Sequence, residues 1–217
     1  MVAVRRHPYI APQAYLHQER QAAVKSEYIN GRIYAMAGAS RRHNRITFNV
    51  AALLHAQLRN GPCEGFANDM RVKIASENVY TYPDIVVACG EAEYEDAELD
   101  TLLEPTLIIE ILSDSTEKYD RGKKCSYYQQ IESLQEYVLI SQDTARIECY
   151  TRLPDHRWML THVTTLESDV ALESIGCVLP LADVYARVQF EAEVAEPSED
   201  SPEFQNSRTT TSDRPSP

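Results

Sequence analysis

The sequence predicts a mixed α/β (α+β) fold in which a β-sheet is flanked by helices, and three observations predict it. Runs of β-branched and aliphatic residues recur at Ile85-Val86-Val87, Leu107-Ile108-Ile109 and Tyr137-Val138-Leu139-Ile140, the pattern of buried strands. Residues 43–59 carry Ile46, Val50, Leu53, Leu54 and Leu58 at helical spacing. The order helix, hairpin, helix, three strands, helix, strand interleaves the two element types, as layered domains do.

Taken in order, residues 12–25 are good helix formers with Leu16 and Val24 at roughly two-turn spacing. Tyr28 to Tyr34 reads as two short strands around the Asn30-Gly31 turn, with Glu27 just before the hairpin. Arg41-Arg42-His43-Asn44-Arg45 leads into the helix over 43–59, which Asn60-Gly61-Pro62 stops. Strands are expected over 65–75, 80–89 and 106–112. Ser113-Asp114-Ser115-Thr116 supplies N-cap residues for a helix over 116–132. Residues 137–140, 145–151 and 157–164 read as a meander that completes the sheet, and a last helix is expected near 181–187. The domain is expected to span residues 1–190. Beyond it, the Glu, Pro, Ser, Thr and Asp of 191–217 cannot build a core, which predicts a disordered acidic tail.

A net charge of −12 argues against a polyanionic partner until its distribution is considered. Segment 91–104 holds seven acids and no base, and segment 191–217 holds seven acids and two bases, so these two account for the whole imbalance. The rest is neutral and has room for a local basic site. The acidic 91–104 stretch reads as a solvated loop. The five cysteines are scattered with no CxxC pair, so they are expected to be small, partly buried thiols rather than zinc ligands or a disulfide framework. No apolar stretch approaches the roughly 20 residues that cross a bilayer, and no secretory segment opens the chain, so a cytoplasmic protein is expected.

Chemistry enters through two carboxylates in apolar strands. Asp84 follows Tyr82-Pro83, and Glu110 sits inside Leu107-Ile108-Ile109-Glu110-Ile111-Leu112. A charge so placed loses several kcal/mol of hydration unless a cation replaces the water. If the strands are neighbours, the two oxygen donors suit one hard divalent ion, Mg²⁺ or Mn²⁺. The lysine-bearing Asp120-Arg121-Gly122-Lys123-Lys124 then supplies a group that orients water and stabilises charge on a phosphate.

These residues resemble the PD-(D/E)XK nuclease superfamily, and among its members the pattern is most similar to the bacterial Uma-two family, formerly a domain of unknown function. The matching pieces are Glu27-Tyr28-Ile29-Asn30-Gly31-Arg32-Ile33-Tyr34, His43 at a helix start, Tyr82-Pro83-Asp84-Ile85-Val86, Ile109-Glu110-Ile111-Leu112-Ser113, Tyr119-Asp120-Arg121-Gly122-Lys123-Lys124 and Glu136-Tyr137-Val138-Leu139. The resemblance implies a restriction-endonuclease-like fold and a Mg²⁺- or Mn²⁺-dependent endonuclease acting on DNA as a homodimer, with no organic cofactor and no membrane partner. Asp84 and Glu110 are then the metal ligands, Lys124 the electrostatic and water-orienting group, and Glu27 an outer ligand. One departure stands out. The superfamily lysine position is occupied here by Leu112, so the lysine has moved to the next helix, where Lys124 matches and Lys123 is its neighbour. A lysine side chain reaches about 6 Å, roughly one helical turn, which makes the move geometrically feasible.

His43, Arg42, Arg45 and Lys123 are candidates for substrate binding, with Arg41 beside them. Each residue also has a plainer reading. Asp84 can fix a turn after Pro83, Glu110 can pair with Lys124 without metal, and Glu27 can be a surface residue. His43 can contact backbone at a helix start, the arginines can be solvated, and Tyr127 and Tyr128 can be packing residues. Two other functions stay open: a restriction-like DNA-binding or protein-interaction module without hydrolysis, and action on RNA or a nucleotide.

Overall fold

In the computed structural model, which describes residues 8–190, two β-sheets pack face to face and a hairpin lies beneath one of them. Helix α1 (Pro12–Glu19) leads into strands β1 (Ser26–Ile29) and β2 (Arg32–Ala35), joined by the expected Asn30-Gly31 turn. Both turn residues have positive φ, 44° and 88°. The Tyr9 ring lies where a Cβ of residue 31 would go, so only glycine satisfies turn and packing together. Helix α2 (Arg41–Leu58) follows, then β3 (Cys63–Ala67), β4 (Arg71–Ile74), β5 (Val79–Thr81), β6 (Ile85–Cys89), β7 (Thr101–Leu102) and β8 (Leu107–Leu112). Next, α3 (Glu117–Tyr119), a π-helical turn (Asp120–Lys124) and α4 (Cys125–Tyr128) run on from one another. Strands β9 (Glu136–Ser141), β10 (Ile147–Arg152), β11 (Trp158–Val163), β12 (Asp169–Leu172) and β13 (Cys177–Pro180) close the fold with helix α5 (Leu181–Val184).

The larger sheet has the order β11-β10-β9-β8-β6-β3, and the smaller β2-β1-β5-β4-β7. Strand alternation decides where each core lies. On β8, Leu107, Ile109 and Ile111 join Ile46, Val50 and Leu54 of α2 and Leu179 and Leu181 of the β13–α5 corner in one cluster. Ile108 and Leu112 point the other way and pack with Val72, Ile74 and Val79 of the smaller sheet and Tyr128 of α4. Glu110, between Ile109 and Ile111, belongs by period to this second face. It is therefore directed into the space between the sheets.

Several expectations are corrected. The single strand expected over 65–75 is two strands in different sheets, because Asn68, at φ 66°, turns the chain from one sheet to the other. The strand expected over 80–89 divides in the same way at Pro83-Asp84 between β5 and β6. Helix α1 stops at Glu19, so Val24 lies outside it and is exposed. The helix expected over 116–132 is shorter and carries the π-helical turn, and the β12–β13 hairpin falls where no element was expected. The acidic 91–104 segment is tied down rather than freely solvated. Arg20 pairs with Asp96 and Asp100 at 2.8 and 2.9 Å, Arg71 pairs with Asp100, and Lys73 with Glu95 at 2.7 Å. Cys63 and Cys89 face each other across β3 and β6 and form a disulfide, where free thiols were expected; Cys125, Cys149 and Cys177 are free and buried. The predicted tail, 191–217, lies outside the described residues. Among those described, no helix is long and apolar enough to cross a membrane.

Candidate active site

Register brings the two strand carboxylates together. Strands β6 and β8 are antiparallel, with Ile85 opposite Ile109. One step further along the same register sets Asp84 against Glu110, on the face shared with Val86 and Ile108. The backbone confirms the approach, since Ile111 N–H donates to Asp84 Oδ2 at 2.7 Å. Asp84 thus occupies the point where the chain crosses from the smaller sheet to the larger. A helical residue completes this corner: His43 Nε2, in the first turn of α2, lies 3.2 Å from the same oxygen.

Opposite Glu110, the π-helical turn and the α4 helix that continues it aim three side chains inward. Asp120, Lys124 and Tyr128 follow one another at four-residue intervals and share a face. Lys124 Nζ lies 2.8 Å from Glu110 Oε1, 3.0 Å from Glu27 Oε1 and 3.7 Å from Asp120 Oδ1. The Tyr128 hydroxyl lies 2.8 Å from Glu110 Oε1 and 3.0 Å from Thr81 Oγ1. Glu27, Glu110, Asp120 and Lys124 are each less than a tenth exposed. Glu27 arrives from β1, in the other sheet, so the cluster joins the two layers. Single π-turns inside helices concentrate at functional sites because the widened turn re-aims its side chains.

Charge in this cluster is unbalanced: three carboxylates, from Glu27, Glu110 and Asp120, surround one ammonium, and Asp84 lies beside Glu110. Burial alone would lower the Lys124 pKa, but Glu110, Glu27 and Asp120 more than offset it and hold Lys124 protonated, well above the ordinary range. Burial pushes the Glu110 carboxyl well up, with Asp120 and Asp84 adding to the rise and Lys124 opposing it. Asp120 is raised likewise, again chiefly by burial. A further cation beside these buried carboxyls would relieve the cost that burial sets on their charged forms.

A hard divalent cation fits that need. The closest contacts of Glu110 fall on Oε1 and those of Asp84 on Oδ2, leaving one oxygen of each for a shared ion. The Tyr119 hydroxyl is buried without a hydrogen-bond partner, as a group that faces water or an ion would be, whereas Glu27 Oε1 is turned toward the Lys124 ammonium. Among the described residues no group of three or more His, Cys, Asp or Glu is arranged to hold a metal. Any ion held here would have the Asp84–Glu110 carboxylate pair as its protein donors and would draw the rest of its ligands from water or phosphate oxygen, as Mg²⁺ commonly does.

The other candidates separate. Arg42 pairs with Asp143 at 2.8 Å, and Arg45 lines a cleft on the outer side of α2. Lys123 is exposed, its ammonium 5.4 Å from the centre of the Tyr127 ring. Sequence reasoning missed Asp120 and the hydroxyl of Tyr128, which was taken for packing alone. The four-residue spacing about Lys124 was the signal for both.

The two layered sheets and the cluster between them define a protein of the restriction-endonuclease-like nuclease fold. The crystal structure described as "a putative nuclease belonging to DUF820 from Anabaena variabilis" superposes with a TM-score of 0.68 at 18% identity, over 83% of this chain and 99% of that one. The pattern of the Uma2 family, described as "Putative restriction endonuclease", matches residues 12–182. The chain belongs to the Uma2 family. Two relatives from a Synechocystis strain, the uncharacterized proteins sll1609 and slr1290, are 39% and 33% identical to it over 163 and 183 residues. Those matches cover 75% and 84% of this chain and 92% and 95% of the relatives.

Proposed function

We propose that this chain is a Mg²⁺- or Mn²⁺-dependent endonuclease that hydrolyses phosphodiester bonds in DNA, acting as a homodimer. The observation that carries the reading is one buried ammonium, Lys124, held among the carboxylates of Glu27, Glu110 and Asp120, with Asp84 beside Glu110 on the neighbouring strand edge. Asp84 and Glu110 would hold the ion, with Glu27 as an outer member of the set. When bound, it supplies Lewis acidity toward a phosphoryl oxygen and lowers the pKa of an attacking water.

The remaining roles belong to the chain itself. Lys124, fixed by its carboxylate neighbours, would orient a water and stabilise charge developing on the phosphate. Glu27 and Asp120 keep that ammonium in place. His43 buttresses Asp84 from α2. Leu112 faces the apolar core and takes no part.

The test is incubation of purified protein with duplex and single-stranded DNA in Mg²⁺, Mn²⁺ or EDTA. Cleavage that requires the ion and disappears in Asp84→Ala is expected; cleavage unaffected by that substitution rejects the mechanism. A second reading has one observation in its favour. Lys124 already neutralises Glu110 at 2.8 Å, as in a structural ion pair, which suits a DNA-binding or protein-interaction module without hydrolysis. Calorimetric Mn²⁺ binding that is lost in Glu110→Ala speaks against it.

A further inference from the structure

On the outer side of α2 lies a cleft of about 290 Å³ lined by Ser40, Arg41, Arg42, Arg45, Arg187, Val188 and Gln189. Four of those seven residues are arginine and none is acidic, in a chain whose net charge is −12. Arg42 is paired with Asp143. Among the described residues, no carboxylate pairs with Arg41, Arg45 or Arg187. Arg41 and Arg45 stand four apart on one helical face, where like charges repel. Arg187 comes from more than 140 residues further along the chain to join them.

That third arginine is held deliberately. Asn49, on α2, donates from Nδ2 to the carbonyls of Val184 and Ala186 at 2.9 and 3.0 Å, fastening the segment that ends in Arg187 against the helix. Arg187 itself adopts a left-handed backbone with φ 62°, a conformation that non-glycine residues rarely take. Three guanidinium groups that no described carboxylate neutralises thus line one cleft. They are suited to an anion with several oxygens, because the planar fork of arginine matches phosphate geometry with two parallel hydrogen bonds.

We infer that this cleft binds a backbone phosphate of a nucleic-acid strand, with Arg41, Arg45 and Arg187 as its cationic lining. The inference rests on the nuclease reading and deepens it by adding a second grip on the substrate. The first turn of α2 links the two places: it carries His43, beside Asp84, and on its opposite side Arg41 and Arg45. The width of a helix, about 10–12 Å, separates those sides. Strand phosphates advance about 3.4 Å each along a duplex axis, so a strand held in the cleft arrives at Asp84 within a few nucleotides.

Binding of a fluorescent DNA duplex to the full chain in EDTA tests this apart from hydrolysis, with salt varied between about 50 and 300 mM, over which the Debye length falls roughly 2.4-fold. Arg41→Ala, Arg45→Ala and Arg187→Asn are compared with Arg59→Ala, which removes one charge at the far end of α2; asparagine accepts the left-handed backbone of position 187. Each cleft substitution is expected to weaken binding roughly ten-fold and to reduce the salt slope by about one, while Arg59→Ala changes affinity less than about two-fold. Equal losses in Arg59→Ala, or cleft variants that bind like the unsubstituted chain, overturn the assignment. Inorganic phosphate is titrated separately. Saturable phosphate binding lost in Arg187→Asn, with DNA binding unaffected, overturns the strand and leaves a free anion site. Because metal is absent throughout, a silent Asp84–Glu110 centre leaves this result intact, and the cleavage assay reads that failure by itself.

Discussion

Lys124 is the residue whose surroundings leave it least choice. Removing one partner of a buried ionic cluster leaves the others uncompensated, a cost of about 3–5 kcal/mol. Lys124→Met is therefore expected to lower the urea midpoint in EDTA markedly. Added Mn²⁺ should restore part of the loss by replacing the missing charge; a variant as stable as the parent in EDTA would mean that the cluster does not need the ammonium. Tyr128→Phe removes only the hydroxyl that links Glu110 and Thr81, and the expected cost is about 1–2 kcal/mol by chemical denaturation. At this scale the sequence was partly legible. Asp84 and Glu110 were visible because a carboxylate in an aliphatic run needs a reason, and Lys124 because the position at Leu112 is apolar. Asp120 and Tyr128 were hidden because neither lies in such a run. Arg187 was hidden because only the folded chain brings it to α2.

The elements show where local reading stops. Helix α2, the Asn30-Gly31 hairpin and β8 follow from period and turn chemistry, and they fall within a residue or two of expectation. The two sheet crossings at Asn68 and Pro83-Asp84 do not, because an apolar pattern of period two continues through a turn that changes sheets. The 91–104 segment misled for another reason: its charge density suggests solvent, yet its acids meet Arg20, just past the end of α1, and Arg71 of β4, both distant in sequence. Its titration is testable. Hydrogen bonds from Arg20 hold the Asp100 and Asp96 carboxyls below their ordinary range, with Arg71 adding to the effect on Asp100. A depressed folded-state pKa contributes stability that is present above about pH 4 and is lost as the pH falls further. The urea midpoint should decline between about pH 5 and 3. Arg20→Gln should flatten that decline, and an unchanged slope would detach the segment from acid stability.

The whole molecule is two sheets held at one seam, and the disulfide bears on only one edge of it. Cys63 and Cys89 close a separation of 26 residues between β3 and β6, so reduction is expected to cost about 3 kcal/mol in the thermal unfolding of the intact chain. The strands themselves remain paired through their register. The seam is also where function concentrates, since Glu27 comes from the smaller sheet, Glu110 from the larger, Asp84 from the crossing between them, and Lys124 from the turn that covers it. The layering was legible from element order, whereas the packing of a second sheet over the first was not, because its strands are only two to four residues long. Anomalous scattering from crystals soaked in Mn²⁺ tests the central claim most directly. The account predicts a peak bridging the free oxygens of Asp84 and Glu110, beside the Lys124 ammonium. A peak confined to other carboxylates, or none at saturating Mn²⁺, would contradict it.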